Sequence, residues 1–130
     1  MKRDMDLIRE LLLKLEALPM RPGGVVTISP DAEEIAVAGH DVEQIEYHLS
    51  LILEAGLIEQ LDVHPMFGIS FRRLSWQGHD FLDSVRDPRI WEKTKKGAEA
   101  AGGFTVDLLK DLAKGFIKKQ VEEYTGVKIA

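Results

Sequence analysis

The sequence contains no cysteine. Disulfides, thiolate metal sites and a nucleophilic thiol are therefore excluded, and a reducing compartment fits. No window approaches the roughly 18 apolar residues that a membrane span needs. The opening stretch MKRDMDLIRELLLKLEALP is interrupted by Asp4, Asp6, Arg9, Glu10 and Lys14, so it does not read as a signal peptide. A soluble, cytoplasmic protein without membrane contact is the expectation. Positive charge is missing over a long span as well. Residues 22–71 hold nine Asp or Glu and no Lys or Arg, whereas 72–130 hold twelve basic and nine acidic residues. The middle of the chain therefore carries a field of one sign. No Gly-rich phosphate loop, nucleophile elbow or singled-out carboxylate pair occurs. No catalytic residue and no cofactor is expected.

What is present suffices for a core. The chain has 130 residues, of which 45% are hydrophobic and 30% charged, the composition of a globular domain that needs no staples. Asp4 is placed to cap a first helix, with Met5, Ile8, Leu11, Leu12 and Leu15 on its apolar side. Pro19 and Pro22-Gly23-Gly24 end it. VVTIS at 25–29 reads as a strand. PDAEEIAVAGHD is ambiguous: Pro30 and the acids resemble a helix start, while Ile35 and Val37 alternate as in a strand. The strand is favoured over 30–38; a helix there would complete a helix-turn-helix.

Asp41 then caps a helix to about Ala55, with Val42, Ile45, Leu49, Ile52 and Leu53 as its stripe. Gly56 stands where a left-handed C-cap is wanted. LIEQLDV at 57–63, a turn at 64–68 and ISFRRLS at 69–75 make a β-hairpin, the arrangement of a wing. Ser75 caps a further helix, in which Trp76 and Phe81 are expected to fill the core. Asp87-Pro88 starts another helix, and AAGG at 100–103 separates it from a last one, capped by Thr105 and running to about Tyr124. The expected division is a domain over 1–100 and a C-terminal amphipathic helix over 101–130.

These segments resemble a known family. MKRDMDLIR, YHLSLILEAGLIE, RRLSWQGHDFLDSVRD with IWEKTK, and FTVDLLKDLAKGFIK look like the domain of unknown function 2513 family, in the same order. The resemblance implies small bacterial and prophage proteins with a winged-helix-like fold. It implies no activity and no catalytic residues. The fold class expected is α+β: a winged-helix-like domain with a β-hairpin wing and additional C-terminal helices.

Charge weighs on function. A duplex is bound mainly by Lys and Arg that replace counterions, and base edges are read by Arg, Lys, Asn or Gln. The helix at 41–55 offers Gln44, Tyr47, His48 and Ser50, but places Asp41, Glu43 and Glu46 on its first turns. We therefore expect Asp41, Glu43, Gln44, Glu46 and Tyr47 to form a surface for a protein partner, plausibly a basic one. The rival is a DNA-binding transcriptional regulator that uses the helix at 41–55 together with wing Arg72 and Arg73 on phosphates. The bland alternative for these arginines is pairing with Glu59 or Asp62 across the hairpin. The four histidines show no metal-ligand spacing, so no metal is expected; His48, at the edge of the stripe, reads as a partly buried, hydrogen-bonded histidine. In the last helix, Leu109, Leu112, Gly115 and Phe116 are candidates for self-association as a homodimer. Gly115 suits the close crossing of another helix; packing within the chain is the alternative.

Overall fold

A computed structural model describes residues 1–61, 65, 66 and 68–129. Among them the chain is α+β, with five α-helices and a three-stranded antiparallel sheet. It divides into two compact units, Met1–His79 and Asp80–Ala130. The expected boundary at 100/101 is therefore not where the compact units part.

The first unit opens with α1 (Met5–Ala17). The Asp4 carboxylate caps it by accepting from the amides of Asp6 and Leu7. Its inner side buries Leu7, Leu11, Leu12 and Leu15, at 1% exposure or less. Each such leucine contributes about 1.5–3 kcal/mol of burial. α1 packs against α2 (Val42–Glu54), strand β3 (Ile69–Leu74) and a single 3-10 turn, Glu33–Ile35.

Strand β3 is the middle of the sheet, flanked by β1 (Val26–Ile28) and β2 (Ile58–Gln60). Val26 faces Phe71 and Ile28 faces Ile69. On the other edge Ile58 faces Leu74, but Gln60 faces Phe71, so β3 carries an extra residue there, a bulge. Phe71 is fully buried. The expected turn at 64–68 lies partly outside the described residues.

The segment 30–38 is neither strand nor α-helix. Ser29 Oγ donates to the Asp31 carboxylate and the Ala32 amide donates to the Ser29 carbonyl, which turns the chain at Pro30. One helical turn then places Ile35 in the core, fully buried, with Glu33 and Glu34 outside. The apparent alternation came from one anchor, Ile35. β3 already has a neighbour on each edge.

Helix α2 begins in a reciprocal box. Asp41 accepts from the Gln44 amide at 2.8 Å, and the Gln44 side-chain oxygen accepts from the Asp41 amide at 3.0 Å. It ends at Gly56, whose φ of 72° is the left-handed C-cap conformation.

Helix α3 (Trp76–Val85) starts at Ser75, whose hydroxyl accepts from the Gly78 amide at 3.0 Å. Its buried positions are Gly78, Phe81, Leu82, Ser84 and Val85. Trp76 is 84% exposed, which corrects the expectation that it fills the core. Gly78, Phe81, Leu82 and Val85 fall at i, i+3, i+4 and i+7, and Trp76 stands about 200° from Gly78 around the helix. Gly78 lies against the Leu57 carbonyl so closely that a Cβ would overlap its oxygen.

The second unit contains α4 (Pro88–Ala101) and α5 (Val106–Thr125), which pack along one another. Asp87 caps α4, accepting from the Arg89 and Ile90 amides, and Thr105 caps α5. Ile90, Trp91, Thr94 and Ala98 are the buried positions of α4.

Candidate functional site

The surface that the sequence singles out is built on α2. Its helical period buries Ile45, His48, Leu49 and Ile52 and leaves Asp41, Glu43, Glu46, Ser50 and Glu54 exposed. Among the described residues, neither Glu43 nor Glu46 is joined to a basic side chain. Asp31, Glu33 and Glu34 of the preceding loop are exposed too. Asp31, Glu33, Glu34, Asp41, Glu43, Glu46 and Glu54 of the acidic span thus occupy solvent-facing positions of the first unit. Tyr47 is half-buried, its ring edge-on to that of His48 at 5.5 Å.

The groups that could read base edges are engaged elsewhere. The Gln44 side-chain Oε1 accepts from the Asp41 amide and closes the capping box. His48, 2% exposed, donates from Nδ1 to the Gln44 carbonyl at 2.8 Å and accepts at Nε2 from the Asp4 amide at 2.9 Å. It is hydrogen-bonded, as its place beside the stripe predicts, and more fully buried than that edge position implies. Ser50 donates to the Tyr47 carbonyl. The exposed side of α2 therefore offers carboxylates.

Across β2 and β3, Arg73 Nε lies 2.8 Å from Glu59 Oε2, the cross-strand pair anticipated as the alternative to phosphate contact. Asp62 lies outside the described residues. Arg72 is exposed and, among the described residues, forms no ion pair. It shares a concave surface with Arg21, which the sequence reading passed over. The available signal was that Arg21 and Arg72 are the two basic residues that bracket the span without Lys or Arg.

The candidate self-association residues separate. Leu109 is fully buried, and Leu112 lies near enough to Gly97 to touch a Cβ placed there. Phe116 is half-buried. Gly115 is exposed with open space above it, so among the described residues no helix crosses closely there. Farther along α5, Val121 and Tyr124 are 40% and 92% exposed.

Titration is perturbed in the second unit. The hydrogen bond from Lys110, followed by that from Lys114, holds the Asp80 carboxyl below the usual range; both ammonium groups reach Oδ2, at 3.0 and 3.2 Å. Asp80 in turn raises Lys110. The Ile90 amide, then the Arg89 amide and side chain, lower Asp87. These are cap and surface-pair effects remote from any cluster of reactive groups. Among the described residues, no group of three His, Asp or Glu is arranged to hold a metal ion, and no helix is long and apolar enough to cross a membrane.

The chain matches the model of a family described as "Hypothetical protein (DUF2513)" over residues 2–104. It is also similar to a Haemophilus influenzae protein named "Uncharacterized protein", 35% identical over 124 residues, which covers 93% of this chain and 99% of that one. No solved structure matches. The chain belongs to the domain of unknown function 2513 family.

Proposed function

Taking that membership as the premise, we propose that the first unit is a winged-helix-like, non-enzymatic protein-binding module, a regulator of bacterial or prophage origin. The element order supports the fold: helix, strand, one helical turn in place of a second helix, helix, then a β-hairpin. In this reading α2 stands where such folds carry a recognition helix. Its exposed carboxylates Asp41, Glu43 and Glu46, beside Tyr47, contact a basic protein surface. One observation carries the proposal: Gln44 and His48, the side chains on α2 best suited to base edges, are both held in internal hydrogen bonds. What remains exposed repels phosphates and attracts basic side chains.

The experiment is paired. Wild-type protein is expected to leave random duplex DNA unbound at about 50 mM salt. It is expected to retain a cellular protein that Glu43→Lys with Glu46→Lys releases. Duplex binding at that salt, abolished by Arg72→Ala with Arg73→Ala, would instead establish the DNA-binding regulator. Association through α5 belongs to the same reading. With Leu109 and Leu112 turned inward, it falls to Phe116 and the distal Val121 and Tyr124. Sedimentation of wild type against Tyr124→Ser tests it: an unchanged sedimentation coefficient rejects that surface.

A further inference from the structure

The cleft shared by Arg21, Arg72 and Arg73 is assembled from two distant segments. Arg21 begins a tight turn closed by the Gly24 amide, which donates to the Arg21 carbonyl at 2.8 Å. Pro22 fixes the second position, and Gly23, at φ 76°, supplies the left-handed third, the pattern of a type II turn. This turn leads into β1. The register that sets Val26 opposite Phe71 brings Arg72 and Arg73 beside it. The cleft is open to solvent on one side and has a volume of about 280 Å³. A Cβ at Gly23 would meet nothing within 4 Å, so bare backbone borders open space there.

Charge within this cleft is unbalanced. Three arginines line it, and among the described residues the one carboxylate paired with them is Glu59, through Arg73. Arg21 and Arg72 are exposed and form no ion pair among the described residues. Like charges held together in a concavity favour an anion between them, and the planar fork of arginine matches phosphate oxygens in pairs.

We propose that this cleft binds the phosphate group of a small phosphorylated molecule. The size and the surrounding field choose the small ligand over a nucleic-acid strand. A cleft of this volume is near the lower limit for ligand pockets and suits one phosphate with a modest appendage. A long polyanion leaving the cleft would meet a chain segment, 22–71, whose sequence holds nine carboxylates and no Lys or Arg. A compact anion stays within the guanidinium cluster. This site is independent of the protein-binding face on α2.

The test titrates inorganic phosphate and adenosine monophosphate into full-length protein at constant ionic strength, followed by backbone amide chemical shifts. Saturable shifts are expected at Arg21, Gly23, Gly24, Arg72 and Arg73. Affinity should fall roughly tenfold in Arg21→Ala and in Arg72→Ala, less in Arg72→Lys, and not at all in Arg86→Ala. Both alanine changes are at exposed positions, and circular dichroism confirms that the fold is retained. Absence of saturation by about 10 mM, an equal response to chloride, or affinity unchanged in both alanine variants overturns the site. Random duplex DNA binding more tightly than adenosine monophosphate through the same two arginines assigns the cleft to nucleic acid and overturns the small-ligand proposal.

Discussion

His48 Nε2 accepts the backbone amide of Asp4, 44 residues earlier in the chain, at 2.9 Å. Asp4 is the N-cap of α1, and its own amide is one that an N3 Glu or Gln commonly satisfies. Here N3 is Leu7, which cannot accept. In α2 the N3 residue is Gln44, and it closes its own box. The imidazole on α2 thus completes the cap that α1 lacks. Because Nδ1 donates to the Gln44 carbonyl, Nε2 is the acceptor and the ring is the neutral Nδ1–H tautomer. His48→Leu keeps the apolar volume and leaves the Asp4 amide without its acceptor. A loss of about 1–3 kcal/mol is expected in urea unfolding. An unchanged midpoint would show that the bond contributes nothing.

Two helical glycines should respond in opposite directions. Alanine at a helix interior is normally favoured over glycine by about 1 kcal/mol. At Gly115 nothing stands within 4 Å of the added methyl, so Gly115→Ala should raise stability by about 0.5–1 kcal/mol. At Gly78 the same methyl would overlap the Leu57 carbonyl, which also accepts from the Ser75 amide. Gly78→Ala should destabilise by about 1–3 kcal/mol. Thermal melts of the two variants decide both. A fall in stability at Gly115, accompanied by dissociation of an oligomer, would reveal a second chain crossing there.

Acid sensitivity should trace in part to Asp80. Lys110 first, then Lys114, lower its carboxyl in the folded state. A group lowered on folding stabilises above its unfolded value, and that contribution is lost as pH falls through the folded value. The window therefore lies below about pH 4. The denaturant midpoint of Asp80→Asn should fall less steeply than wild type in that window, and the two curves should differ most near neutral pH. High salt should shrink the difference, since the groups are partly exposed. Parallel acid limbs would rule the pair out as a contributor.

The Arg73–Glu59 pair should be weak. Arg73 is 69% exposed, so a double-mutant cycle with alanine at both positions is expected to return about 0.2–1 kcal/mol, falling in high salt. A coupling well above that range would mean that the pair fixes the hairpin register.

Local signals were the legible part. Asp4, Asp41, Ser75 and Thr105 all cap the helices that the sequence assigns to them, because a cap is a short side chain meeting amides two or three residues away. The family, the α+β class and the hydrogen-bonded state of His48 were legible too. Trp76 was misplaced by its residue type, although the spacing of Gly78, Phe81, Leu82 and Val85 already excluded it from the inner stripe. At 30–38, alternation over a few residues resembled a strand, while a turn at Ser29–Ala32 and one buried isoleucine fixed the path.

By itself the sequence determined where helices start and stop, which faces are apolar, and that fifty consecutive residues carry no positive charge. Those properties reside in near neighbours and in composition, where side-chain chemistry and helical period act directly. The tertiary structure decided which polar groups remain available. It engaged Gln44 and His48 in internal bonds, paired Arg73 with Glu59, and set Arg21 beside Arg72 across fifty residues. Such outcomes depend on strand register and helix packing, which join groups whose separation along the chain says nothing of their distance in space.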